Sequence, residues 1–157
     1  MSRSAYWVIL LLAAGCSSGP EPIRYDQDTG AFCRMTITDQ RYGAELVTLK
    51  GKIYTFDSVE CLAGFLLQQE VPTDQVGSLW VTDFSNPPAL IPAETARYLQ
   101  SETLHSPMGL NLTAFSPENT AENLQNAFGG DVLRWDEVLK LVKQQNGPMN
   151  HRSESNG

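Results

Sequence analysis

The chain is poor in the residues that usually announce a site. It has 3 Cys and 2 His in 157 residues, too few for a cysteine-only zinc site or a dense disulfide scaffold. It contains no Cys-x-x-Cys pair, nucleophile elbow, phosphate-binding glycine loop or paired catalytic carboxylate motif, which removes the common signatures of an enzyme. Basic residues are also scarce: 11 Lys and Arg stand against 18 Asp and Glu, a formal charge of −7. That balance argues against nucleic-acid binding, which needs a basic surface. The apolar stretch at residues 6–14 is far shorter than the roughly 20 residues of a membrane-spanning helix. What is present is a hydrophobic fraction of 41%, enough for one core or two very small ones.

Arg3 precedes the apolar stretch, and the small residues Ala13, Ala14 and Gly15 lead into Cys16. A basic start, a short apolar run and small residues before a cut site read as a secretory signal. The pattern resembles a bacterial lipoprotein signal. This implies cleavage of residues 1–15, lipidation of Cys16, and a protein anchored by lipid at the periplasmic face of a bacterial membrane. Ser17, rather than Asp, after the lipidated Cys leaves outer-membrane sorting open, so inner and outer membrane are not resolved. Residues 16–28, rich in Ser, Gly and Pro at their start, are expected to be a tether. Residues 146–157 are expected to be a disordered tail.

The folded part is expected over residues 29–145. Residues 31–38 alternate apolar and polar, which predicts a strand. Residues 44–49 and 52–56 predict a hairpin turning at Lys50-Gly51. Asp57 and Glu60 form a capping-box pattern ahead of a helix carrying Leu62, Phe65 and Leu66. Residues 79–84 predict a further strand, and 92–100 a short helix or irregular segment. Residues 109–115 alternate as a strand. Ser116-Pro117-Glu118 reads as a helix start, with Ala121, Leu124 and Phe128 facing inward and Gly129-Gly130 as the stop. A strand at 132–135 and a last helix capped by Asp136, with Val138, Leu141 and Val142 inward, complete the chain. Strand, helix, strand occurs twice, which predicts an α+β protein of two small halves, 29–86 and 87–145.

With Cys16 given to lipid, Cys33 and Cys61 remain, together with the thioethers of Met35 and Met108. On a strand, Cys33 and Met35 leave the same face. A thiolate beside a thioether is a soft donor pair that selects Cu(I) over Mg(II), Ca(II) or Mn(II). His105-Ser106-Pro107-Met108 adds an imidazole and a second thioether on a loop stiffened by Pro107. Each residue has a plainer role as well. Methionine on a strand packs in cores, a single histidine sits at surfaces, and Cys33 and Cys61 of an exported protein can form a disulfide. Cys61 falls in the first turns of its helix, where the dipole favours thiolate; that suits a ligand, a reactive thiol or a bridge.

The order of these pieces resembles the NosL family of nitrous oxide reductase accessory lipoproteins. The similarity runs from Phe32-Cys33-Arg34-Met35-Thr36-Ile37-Thr38-Asp39 and Arg41 through Ala44-Glu45-Leu46-Val47-Thr48 and Gly51-Lys52-Ile53-Tyr54-Thr55-Phe56-Asp57. It continues in Glu60-Cys61-Leu62, Trp80-Val81-Thr82-Asp83, Pro107-Met108-Gly109, Ala114-Phe115-Ser116 and Gly129-Gly130-Asp131-Val132-Leu133, covering roughly residues 30–142. The resemblance implies a non-enzymatic Cu(I) chaperone built of two ββαβ-type units, a topology shared with organomercurial lyase. It implies copper-maturation transporter components or a copper apo-enzyme as partners. Cys33 and Met35 match its Cys-x-Met signature and Met108 its downstream methionine. Many members carry a further Cys three positions before that signature, where this chain has Gly30. That departure gives Met108, His105 and Cys61 more weight as completing ligands. Two alternatives stand beside it: a thiol-based enzyme using Cys33, Cys61 and Asp57, and a structural lipoprotein with a Cys33–Cys61 disulfide.

Overall fold

The computed structural model describes residues 19–145; the signal, Cys16 and the C-terminal tail lie outside the described residues. Seven strands and three helices follow one another as β1 (Ala44–Thr48), β2 (Ile53–Phe56), α1 (Val59–Leu67), β3 (Val76–Thr82), β4 (Leu90–Pro92), β5 (Arg97–Gln100), β6 (Leu112–Phe115), α2 (Ala121–Phe128), β7 (Asp131–Leu133) and α3 (Trp135–Gln145). They make two antiparallel sheets, ordered β2-β1-β3-β4 and β6-β5-β7. In each, a ββαβ passage places its first strand between the other two: β1-β2-α1-β3 and β5-β6-α2-β7. The expected α+β class with two similar units is therefore the architecture observed.

The hairpin forms because alternation and turn chemistry agree. Ala44 pairs with Phe56 and Leu46 with Tyr54, so apolar side chains from both strands share one face. Gly51 takes φ +81 at the turn, a left-handed conformation that glycine adopts without steric cost. On the apolar face Phe65 of α1 stacks against Tyr54 and Phe56 at centroid distances of 5.1 and 5.2 Å, contacts worth about 0.5–1.5 kcal/mol each beyond simple burial. This fixes α1 over the end of β2 and leaves Asp57 at their junction.

One main core joins the units. Leu46, Phe56 and Leu62 from the first pack with Tyr98, Leu112, Val138 and Val142 from the second. Alternation in the second sheet sends Tyr98 and Ala114 to this core and Leu99 and Phe115 to a smaller one under α2, with Leu104 and Leu124. The Tyr98 hydroxyl, fully buried, donates to the Ala93 carbonyl at 2.6 Å.

Several local expectations change. Residues 31–38 form no strand; they make turns with a single bridge, Thr29 to Thr36. Arg34 sits at φ +62, which no strand accommodates, and Gly30 and Met35 close the turn on themselves by a backbone bond of 2.8 Å. Residues 21–28, expected to be tether, pack on the first sheet: Ile23 is buried, and the Glu21 N–H donates to the buried Glu45 carboxylate at 3.1 Å. Burial raises the Glu45 pKa to about 7. The helix start at Ser116 becomes a turn, closed by Asn119 N–H on the Ser116 carbonyl; Thr120 caps α2 instead, accepting from Asn123 N–H at 3.2 Å. Residues 92–100, expected to be a short helix or irregular segment, hold the end of β4, an irregular turn at 93–96 and all of β5. Trp135 opens α3 instead of ending a strand, and Glu137 reaches back to the Arg134 N–H at 2.8 Å, so the cap falls at Arg134 and not at Asp136.

The α2–β7 connection tolerates no side chain at residue 130. A Cβ there would lie 2.1 Å from the Gln100 carbonyl oxygen, on a backbone at φ +84. Gly130→Ala is expected to cost at least about 2 kcal/mol, the range of enforced backbone strain plus overlap; urea unfolding of the purified variant measures it.

Candidate metal centre

Cys33 is carried by the closed turn at residues 30–35, and two contacts seat that turn. The Ala31 N–H donates to the Thr55 carbonyl of β2 at 2.8 Å. The Phe32 ring lies against α1 where a Cβ on Gly64 would come within 2.8 Å of it, so the ring fits because residue 64 has no side chain. Cys33 is thereby turned toward α1.

Cys61 is the third residue of α1. Ser58 is the N-cap, and its Oγ accepts the Cys61 N–H at 3.3 Å. The expected Asp57–Glu60 capping box does not form: Ser58 takes the cap, and Glu60 bonds elsewhere. Asp57 is thus free to turn its carboxylate to the thiols. Donor atoms of Cys33, Asp57 and Cys61 lie within 4.8 Å of one another. Cys61 and Asp57 are 1% and 4% exposed, whereas Cys33 is only partly buried, so the cluster opens on the Cys33 side. Both cysteines are free thiols. Asp57 Oδ1 is buried and finds no hydrogen-bond partner among the described residues, an arrangement that costs free energy unless a cation or proton meets it.

Burial raises the pKa of both thiols. For Cys61 the Asp57 carboxylate adds to that effect, and the neighbouring Cys33 adds further. For Cys33 the Met35 N–H, 3.5 Å from Sγ, works in the opposite direction, and the Asp57 charge raises the pKa again. The expected preference of the helix dipole for thiolate at Cys61 is overridden: a partial charge at a helix end is worth less than the desolvation of a buried anion. An incoming soft cation therefore meets protonated sulfurs and must displace their protons.

The other proposed ligands are arranged differently from the expectation. Met35 follows Cys33 in the turn, not on a shared strand face, and its side chain is 48% exposed. Met108 is 42% exposed on a turn closed by Gly109 N–H on the Ser106 carbonyl at 3.1 Å. That turn is fastened to α1 beside Cys61, because the Ser106 hydroxyl donates to the Glu60 carboxylate. His105 is exposed and lies outside the Cys33–Asp57–Cys61 group. A Cβ at Gly30 would lie 2.9 Å from Cys33 Sγ, so position 30 faces the site and here supplies no donor.

Asp57 was visible in the sequence as a helix cap and as a partner for thiol chemistry, not as a metal donor. Its spacing of four residues from Cys61 is the signal, since such pairs meet on one side of a helix start. In the apo protein at neutral pH, iodoacetamide is expected to alkylate Cys33 well before Cys61. Both should react more slowly than free cysteine and faster as pH rises, because raised thiol pKa values leave little thiolate; peptide mass spectrometry over time reads the order.

A crystal structure of the copper chaperone NosL from Shewanella denitrificans superposes with a TM-score of 0.63 at 28% identity, covering 75% of this chain and 94% of that one. The copper-binding lipoprotein NosL of Stutzerimonas stutzeri is 29% identical over 140 residues, 83% of this chain and 73% of the relative. The NosL family model matches residues 23–142, a span that contains Cys33, Asp57, Cys61 and Met108, and the chain therefore belongs to the NosL family.

Proposed function

We propose that this protein is a lipid-anchored periplasmic copper chaperone that holds Cu(I) at Cys33 and passes it to a copper enzyme under assembly. The observation that carries the reading is the approach of Cys33 Sγ and Cys61 Sγ to within 4.8 Å at a partly open edge of the fold. Two thiolates suit low-coordinate Cu(I). Cys33 and Cys61 supply them, Met35 and Met108 add exposed thioethers, and His105 is the weakest member of the set. Thioethers are neutral and flexible, so they hold the ion without trapping it and yield to ligands from a partner. Asp57 offers a hard oxygen that Cu(I) does not seek, so it is not counted among the copper ligands. Cys16 is the anchoring residue. The recipient is nitrous oxide reductase or another copper enzyme, and the carrier's partners are copper-maturation transporter components or the apo-enzyme itself.

The Cys33–Asp57–Cys61 grouping also favours a second reading, thiol chemistry of the organomercurial-lyase kind. That reading gives Met35 and Met108 no part. Metal-independent turnover of an organomercury substrate, lost in Asp57→Ala, would support it against the chaperone.

Titration of the reduced chain with Cu(I) against a competing chelator tests the proposal. Cys33→Ser is expected to weaken binding by more than the roughly 10–100-fold typical of a group that only orients a ligand; affinity equal to wild type overturns the proposal. The pH dependence gives a separate check. Thiols that are protonated before loading each release one proton, so the apparent affinity is expected to rise about tenfold per pH unit for each thiol displaced. Cys61→Ser should lower that slope by one proton if Cys61 is a ligand.

A further inference from the structure

Glu60 stands immediately before Cys61 in the first turn of α1 and is 4% exposed. Its hydrogen-bond partner is in the other unit: the Ser106 hydroxyl, itself 7% exposed, donates to Oε1 across 46 residues of chain. Ser106 is also the base of the Met108 turn. Its Oγ accepts the Asn111 N–H at 2.9 Å and its carbonyl accepts the Gly109 N–H at 3.1 Å. Gly109 and Asn111 take φ +80 and +58, left-handed conformations that fold the segment back tightly. One serine thus gathers both strands of the turn and ties them to the helix that carries Cys61.

A carboxylate is a costly way to fill this place. Glu60 Oε2 is buried with no hydrogen-bond partner among the described residues, and an apolar residue of similar size would avoid that cost. Among the polar groups around the carboxylate, the Ser106 hydroxyl is the foremost, ahead of Ser58 and the backbone of Glu60 and Leu112, and it supplies a strong, directional bond. Met108 benefits from such a bond. It is an exposed side chain with three rotatable bonds, and setting the turn that carries it beforehand lowers the ordering cost of bringing its thioether to a metal.

We infer that Glu60 is a positioning residue for copper capture: through Ser106 it fixes the turn at residues 106–109 on α1, and so presents the Met108 thioether to the cation held by Cys33. The inference rests on the copper reading above and adds to it a residue that does not touch the metal.

A double-mutant cycle on the full-length chain in detergent, reduced and titrated with Cu(I) against a chelator, tests this. Met108→Leu is expected to weaken binding about tenfold, and Ser106→Ala by a similar factor, the scale of one lost charge-assisted bond. The double variant should bind no more weakly than Met108→Leu alone. Glu60→Gln keeps an acceptor oxygen for Ser106 and should recover most of what Glu60→Ala loses. The 13C-labelled ε-methyl of Met108 should shift on Cu(I) addition in wild type and stay unshifted in Ser106→Ala. Equal weakening of wild type and Met108→Leu by Ser106→Ala overturns the inference, since the effect then bypasses Met108. Wild-type affinity in Ser106→Ala, or in Met108→Leu, overturns it as well. Wild-type affinity in Cys33→Ser is a different result: it removes the copper reading itself.

Discussion

The ring of Phe32 occupies the space where a side chain at residue 64 would project from α1, with a Cβ there only 2.8 Å from ring carbons. Most of the site follows from that contact. It holds the turn at 30–35 against the helix, and the turn in passing places Cys33 next to Cys61 and Asp57. Neither the helix nor the turn would bring sulfur to sulfur alone: 27 residues lie between the two cysteines, and no strand pairing connects their segments. A tight packing of ring on glycine does what a ladder of hydrogen bonds does elsewhere in the fold, and it does so next to the solvent, where the site must open.

The rest of the scaffold supplies rigidity around this contact. Phe65 stacked on Tyr54 and Phe56 fixes α1 to the hairpin, and the shared core under α1 and α3 fixes both units to each other. The Cys33–Asp57–Cys61 group comes from the first unit, whereas Met108, proposed as a further donor, lies in the second. The duplicated topology is therefore not a duplicated site. The second unit's helix α2 carries no cysteine, and no histidine or methionine.

The sequence made legible those elements in which local pattern and tertiary packing agree. Helix α3 could be read because its periodicity is also its burial pattern, with Trp135, Val138 and Val142 inward; the hairpin was legible from its Lys50-Gly51 turn and α1 from its apolar spacing, although β1 is buried throughout and α1 is buried all round from Val59 to Phe65. Residues 31–38 alternate for another reason. In the turn Ala31, Phe32 and Cys33 pack in succession against the core while Met35 is exposed, so the alternation does not match the burial, and an alternation count does not distinguish a turn from a strand. Ser116 failed as a helix start because Thr120, four residues on, offers an equivalent cap nearer the buried Leu124. At the site, the donor types of Cys33, Met35 and Met108 could be named from chemistry. The closeness of Asp57 could not, because Asp57 looked like a cap and only the competing cap at Ser58 released it. Glu60 was mistaken for the same reason: the residue that answers it, Ser106, is a long-range partner that no local window contains.

The Ala31 N–H that steadies the Cys33 turn lands on the Thr55 carbonyl, and β2, which holds Thr55, is an outer strand of its sheet. Outer strands with unpaired backbone groups recruit other chains into edge-to-edge association. The loop that carries the thiol thus also shields that border. One backbone bond serves two ends, seating the thiol and occupying an acceptor on a border where another chain's strand could otherwise pair.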